Sequence, residues 1–244
     1  MGMLDGKIAL ITGASRGIGK SIAQLFAKEG AVVYAVSRDK KDTLAWSNGI
    51  SAYSMIKAIS LDITNENSIK KCIMDIRKES GRLDILVNNA GVEYNELIGM
   101  ISKNHMETMF ATNVYAVIEL IQYASRIMKS GGSIINISSK IGIRGNKGQL
   151  VYSATKGAVI ALTKSAAKEL AEKKIRVNSI APGLTKTDMM DAADIEKLSD
   201  RINNICMKRL ATPEDIARSC LFFASDLSEY VSGQVLEVDG CTIM

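Results

Sequence analysis

Histidine is almost absent from this chain: His105 is the sole one in 244 residues. The four cysteines, Cys72, Cys206, Cys220 and Cys241, are scattered and form no C-x-x-C pair. A structural zinc site needs about four such ligands at set spacing, so a metal centre has no basis here. The cysteines read as reduced packing residues in a reducing compartment. Proline is scarce as well, with two residues in the chain, so long regular elements can run unbroken. No stretch approaches the ~18 consecutive apolar residues of a membrane span. The opening Met1-Gly-Met-Leu-Asp-Gly6 lacks a signal-peptide apolar run and puts Gly6 where a myristoylation motif wants Ser or Thr. The expectation is a cytoplasmic protein. The net charge is +5, but aromatics are 5% and no five like charges run together. Without a basic stripe or stacking platforms, nucleic-acid binding is not expected.

What remains is an ordinary globular composition, 47% hydrophobic and 23% charged. That length can bury a full core without disulfides or metals. Short apolar runs alternate with amphipathic stretches. Strands are expected at Ile8–Thr12, Ala31–Val36, Ala58–Ile63, Leu83–Asn88, Gly132–Ser138, Arg176–Ala181 and Val235–Val238. Helices are expected at Ile18–Glu29, Glu66–Glu79, Lys103–Met128, Tyr152–Glu172 and Pro213–Ala224, the last capped by Thr212. This alternation predicts a single α/β domain over 1–244, a doubly wound Rossmann-type fold with about seven parallel strands and helices on both faces. The irregular, Met-rich stretch at about 185–211 reads as a flap over an active site.

Gly13-Ala-Ser-Arg-Gly-Ile-Gly19 joins the first strand to the first helix with spacing G-x-x-x-G-x-G. Glycines there let backbone approach a pyrophosphate seated at the positive helix N-terminus, although the same turn can simply pack a helix on a strand. The second strand ends Ser37-Arg38, where an NAD binder carries an acid for the ribose 2′-hydroxyl. An acid would repel a 2′-phosphate, whereas Arg38, with Arg16 from the glycine turn, can bind one. NADPH/NADP+ is therefore the expected cofactor, unless both arginines are merely solvated.

Tyr152 and Lys156 stand four apart on one helix face. A free phenol titrates near pH 10, too high for proton transfer at neutral pH, and a nearby ammonium should lower it. Tyr53 and Lys57 share the spacing but lie far from the carboxyl edge of the sheet, where such folds bind ligands. Ser139, ending the fifth strand, can hydrogen-bond a substrate carbonyl, or merely close the strand. Ser138 should point the other way. Asn113 interrupts an apolar helix, and its amide can serve backbone bonding at a kink.

Together these residues resemble the short-chain dehydrogenase/reductase family over nearly the whole chain. Thr12–Gly19 looks like its cofactor motif, which places Gly13, Ser15, Arg16, Gly17, Ile18 and Gly19 at the phosphates, with Ser37 and Arg38 at the ribose. Asn88-Asn89-Ala90-Gly91 resembles the sheet-stabilising motif on the adenosine side, and Asp62 with Ile63 the adenine contact. Pro182-Gly183-Leu-Thr-Lys-Thr187 resembles the segment beside the nicotinamide. Asn113, Ser139, Tyr152 and Lys156 match the catalytic tetrad, in which the asparagine holds a proton-relaying water and the lysine binds the nicotinamide ribose.

Arg209–Ile216 and Val231–Gly240 are most similar to the 3-oxoacyl-(acyl-carrier-protein) reductase group. That resemblance implies reduction of an acyl-thioester carbonyl, with acyl carrier protein as partner. Three substrate-side stretches depart from the group: Val92–Glu96, Leu150-Val151 and Lys129–Gly132. They leave open a small-molecule carbonyl substrate, with a sugar, steroid or polyol dehydrogenase as the alternative. Met189, Met190, Ile195, Leu198 and Met207 of the flap suggest an apolar wall, or plain packing. A cofactor-binding regulator without turnover is the reading from another class. The resemblance further implies a homotetramer built from the helices near 103–128 and 152–172 and the last strand.

Overall fold

The structure, a computed structural model, describes residues 2–48, 55–187, 199 and 201–243. Its centre is one seven-stranded sheet in which every adjacent strand pair is parallel. The strands are β1 (Ile8–Thr12), β2 (Val32–Ser37), β3 (Ile56–Ser60), β4 (Leu83–Asn88), β5 (Met128–Ile137), β6 (Arg176–Pro182) and β7 (Val235–Val238). Their order is β3-β2-β1-β4-β5-β6-β7. The order reverses between β1 and β4, and the crevice beyond their carboxyl ends is where doubly wound sheets take ligands.

Both sheet faces are covered, so the strands are apolar throughout, and alternation sorts their side chains between two cores. Ile8 and Leu10 of β1 join one core with Tyr34 and Val36, while Ala9 and Ile11 join the other with Val33 and Ala35. The first core lies under α3 (Glu66–Ser80), α5 (Ala116–Ala124) and α7 (Leu150–Leu170). The second lies under α1 (Gly17–Lys28) and α8 (Pro213–Ala224), whose Phe26 and Phe223 are almost completely buried. Each aromatic so enclosed contributes about 1.5–3 kcal/mol. Cap residues set the helix ends: Asn65 accepts from the Ser68 N–H, Gly81 closes α3 in the left-handed region, and Thr212 with Asp215 forms a capping box on α8.

The structure departs from the sequence reading at several places. The continuous helix expected over Lys103–Met128 is α4 (Lys103–Phe110), a π-helical turn (Ala111–Tyr115) and α5, and Met128 already opens β5. An apolar run does not distinguish a helix end from a buried strand start. β3 lies two residues earlier than expected, because pairing with β2 joins Val33 to Ile56, and Leu61 and Ile63 are buried after the strand ends. Two short helices were not foreseen, α2 (Lys40–Ser47) and α6 (Lys140–Arg144). Cys72 and Cys220 are buried packing residues, but Cys206 and Cys241 are exposed. Of the Tyr53–Lys57 pair, Tyr53 lies outside the described residues, and Lys57 is tied to Glu79 at 2.6 Å. Met189, Met190, Ile195 and Leu198 also lie outside them, whereas Met207 is exposed. The ends of the 185–211 stretch are anchored by parallel pairing of Thr185 with Ala211 and antiparallel pairing of Ile205 with Thr242.

Candidate active site and cofactor cleft

The glycine turn is tied to the sheet by the residues after β4. Asn89 donates its side-chain N–H groups to the Thr12 and Gly13 carbonyls at 3.0 and 3.1 Å. The Thr12 hydroxyl accepts from the Asn89 and Ala90 backbone N–H groups at 3.0 and 3.1 Å. Gly13 and Gly17 take φ of +67° and +54°, a region closed to most side chains. Helix α1 then begins with no side-chain cap and no acid in its first turn. Its first N–H groups point into the cleft at the positive end of the helix, an arrangement complementary to a phosphate anion. Thr187 lies over this turn, its methyl 3.5 Å from where a Cβ on Gly17 would stand. The structure thus brings Gly13 to Gly19, Asn89 to Gly91 and Thr187 around one cleft, and Pro182 closes β6 beside it.

At the second strand the picture is mixed. Arg16 and Arg38 are exposed. Ser37 is buried, and its hydroxyl donates to the Asp39 carbonyl at 2.7 Å and meets Thr43 Oγ1 at 3.0 Å, so it shapes the turn into α2. Asp62 accepts from the Thr64 N–H and hydroxyl, which hold its carboxyl below the usual range, with Arg38 adding to the effect. Arg38 and Asp62 therefore share one end of the cleft, and the donor set fits a phosphorylated ribose and a base.

The carboxyl ends of β4, β5 and the start of α7 hold the second cluster. Ser139 caps α6, its oxygen accepting from the Ile141 N–H at 3.2 Å, and its hydroxyl lies near enough to Tyr152 to favour the phenolate. Ser138 does face away, donating to the Ile180 carbonyl at 2.9 Å. Lys156 is buried, donates to the Ile137 carbonyl at 2.9 Å, and lies 5.8 Å from the centre of the Tyr152 ring. Asn113 sits in the π turn, where the backbone bulges and turns its amide inward. The amide oxygen accepts from the Val92 N–H at 2.9 Å, and the amide nitrogen donates to the Val92 carbonyl at 2.9 Å and to Thr155 at 3.2 Å. A Cβ on Gly91 would lie 3.2 Å from Asn113 Oδ1 and 3.4 Å from Lys156 Nζ, so all three converge.

Electrostatics here differ from the sequence expectation. Burial pushes the Tyr152 phenol up, Glu93 pushes it further, and the Ser139 hydroxyl opposes them. Burial lowers the Lys156 ammonium to about 8, against a smaller upward effect of Glu93. The lowering expected from the Lys156 ammonium is not among the main influences on the phenol. Glu93, joined to the Gln149 side-chain amide, was missed in the sequence reading; carboxylates two residues past a glycine motif carry no signal of their own. Lys140 was missed too. It is 2% exposed, donates to the Asp239 carboxylate and to the Thr242 carbonyl at 2.6 Å, and so ties the residue after Ser139 to the C-terminal segment.

Comparison with known proteins meets this geometry directly. The family described as enoyl-(acyl carrier protein) reductase matches residues 13–241. The chain belongs to this family, one of the short-chain dehydrogenase/reductases. It is 38% identical over 241 residues to a 3-oxoacyl-[acyl-carrier-protein] reductase FabG of Thermotoga maritima, covering 97% of this chain and 98% of the relative. It is 40% identical over 242 residues to that of Staphylococcus aureus, covering 96% and 97%. It is 37% identical over 239 residues to that of Vibrio harveyi, covering 97% of each. Among the described residues, no helix is long and apolar enough to cross a membrane.

Proposed function

We propose that this short-chain dehydrogenase/reductase is a cytoplasmic, NADPH-dependent enzyme that reduces the ketone of a 3-oxoacyl thioester to a secondary alcohol. The observation that carries the reading is the approach of the Ser139 hydroxyl to Tyr152, with Lys156 5.8 Å from the centre of the Tyr152 ring, at the carboxyl edge of the sheet and beside the glycine cleft. Gly13, Ser15, Arg16, Gly17, Ile18 and Gly19 would hold the cofactor's phosphates. Arg38 would hold its 2′-phosphate, Asp62 and Ile63 its adenine, Asn89 to Gly91 its adenosine side, and Pro182, Gly183 and Thr187 its nicotinamide end. When bound, NADPH supplies the hydride that goes to the carbonyl carbon.

The chain's own groups manage the oxygen. Ser139 and Tyr152 donate hydrogen bonds to it, which stabilise the charge that develops as the carbon is reduced. Tyr152 then gives up its phenolic proton, completing the alcohol. A phenol whose pKa is raised is fully protonated at neutral pH, which suits a donor in the reductive direction. The Lys156 ammonium restrains the phenolate left behind and orients the ribose. Asn113 holds the Val92 backbone and Thr155, and so positions Tyr152 and Lys156.

The names of the relatives make acyl carrier protein the expected carrier of the thioester. A second reading, oxidation or reduction of a hydroxyl-bearing substrate such as a sugar, is favoured by the Glu93–Gln149 pair, which puts an acid and an amide beside Tyr152. The test is the fall in NADPH absorbance with 3-oxoacyl thioesters, 2-enoyl thioesters and keto sugars in parallel. Turnover of the 3-oxoacyl thioester, with Tyr152→Phe slower by about 10²–10⁴-fold, is the expected result. Turnover of keto sugars alone would favour the second reading. NADPH binding with no turnover, unchanged by Tyr152→Phe, would make the protein a cofactor-binding regulator.

A further inference from the structure

Two of the four cysteines meet at the surface, away from the buried pair. Ile205 and Thr242 form an antiparallel bridge, flanked by hydrogen bonds from the Cys206 N–H to the Cys241 carbonyl at 3.1 Å and from the Ile243 N–H to the Asn204 carbonyl at 2.7 Å. In this register Cys206 and Cys241 stand directly opposite one another. The backbone bond from Cys206 to Cys241 holds the two residues close together, and disulfides need Cα atoms roughly 4.4–6.8 Å apart. The Cys206 thiol is near enough to raise Cys241 above its ordinary value, and both residues are exposed. Cys241 is fixed in place: its φ is +57°, its N–H donates to Asp239 Oδ1 at 3.0 Å, and the Thr242 N–H donates to Asp239 Oδ2 at 3.2 Å. Asp239 is anchored in turn by buried Lys140. A disulfide here would join two segments already held in register by the Ile205–Thr242 bridge.

We propose that Cys206 and Cys241 form a thiol–disulfide exchange site that low-molecular-weight disulfides oxidise to an intramolecular bridge, joining the stretch before Leu210 to the C-terminal segment. The Cys206 thiolate attacks one sulfur of the reagent disulfide, whose S–S bond breaks and releases one thiolate. The Cys241 sulfur then attacks the Cys206 sulfur of the mixed disulfide and expels the second thiolate. Two cysteine thiols are oxidised, one reagent disulfide is reduced to two thiols, and the two cysteine protons pass to them. Cys241 resolves rather than initiates, because the neighbouring Cys206 thiol raises it above the ordinary thiol value. Cys72 and Cys220 stay out of the exchange, since burial pushes Cys72 up to about 11 and Cys220 higher still.

The site is independent of the catalytic reading and is tested without a substrate. The full chain is incubated with oxidised glutathione, its free thiols are titrated after denaturation, and its peptides are mapped without reduction. The expected result is loss of two of the four thiols, a joined peptide pair carrying Cys206 and Cys241 in a monomer-sized chain, and recovery of all thiols with dithiothreitol. Cys206→Ser should form no joined pair and take up glutathione at Cys241 alone. Stable glutathione on both cysteines without a joined pair, bridging between chains, or an unchanged thiol count would each overturn the proposal.

Discussion

Lys156 shows how one buried charge links stability to function. A lysine in the unfolded chain keeps its proton to about pH 10.5, whereas the folded one releases it near 8. Between those values the unfolded state binds more protons, so this residue makes the protein more stable as pH rises. Below pH 8 its cost is fully present, on the order of 3 kcal/mol. Lys156→Met should therefore unfold at higher urea than the parent below pH 8, and this advantage should shrink towards pH 10.5. An advantage independent of pH would refute the linkage. The same substitution should abolish turnover, so the site sacrifices stability for chemistry. Arg38 is the second residue with a clear expectation. Arg38→Ala removes a charged partner of a 2′-phosphate, a loss of about 1.5–3 kcal/mol. NADPH kcat/KM should fall roughly 10- to 100-fold while NADH kcat/KM scarcely changes. Equal losses with both cofactors would mean that Arg38 does not read the phosphate.

At the scale of elements, α6 and the π turn position the site, and neither was legible beforehand. The short helix α6 packs its Gly142 onto the backbone of α7 at Lys156: a Cβ on Gly142 would lie 2.6 Å from the Lys156 carbonyl carbon and 2.8 Å from its Cβ. Gly142→Ala must push the two helices apart, at about 1–3 kcal/mol. Because α6 begins at the Ser139 cap, the larger effect should fall on kcat, through a loosened Ser139–Tyr152 contact. Gly157→Ala is the matched control, since its Cβ would meet only the Gly142 carbonyl oxygen, at 3.4 Å. It should retain activity, and circular dichroism melts of the two variants should separate them. In the π turn, Asn113 shows why a polar residue in an apolar run could be noticed but not placed. Its type signals a need for partners, while the partners, Val92 and Thr155, come from distant parts of the chain.

For the whole molecule, β7 is an edge strand with Leu236 partly exposed, and Phe222, Leu227 and Tyr230 lie exposed nearby in sequence. A second apolar set, Tyr115 and Ile118, is exposed on the π turn and α5. Edges and patches of this kind are usually covered in solution. We expect the protein to assemble as a homotetramer through these faces, as the family resemblance implies. Light scattering should return the mass of four chains, and Leu236→Asp should reduce it. A parent protein that runs as a monomer would remove this expectation.

Periodicity, glycine spacing and caps act within a few residues, and so the sequence by itself determined the parallel α/β architecture, the limits of β1, β4, β7 and α8, the glycine cleft and the Tyr152–Lys156 face. Tertiary structure alone decided where the apolar run before β5 stops being helix, and that Ser37 turns inward. It also decided that Glu93 comes beside Tyr152, that Lys140 ties the residue after Ser139 to the C-terminal segment, that burial lowers Lys156, and that Cys206 faces Cys241. Those outcomes depend on burial and on groups brought together from remote parts of the chain, and neither quantity exists until the sheet has closed.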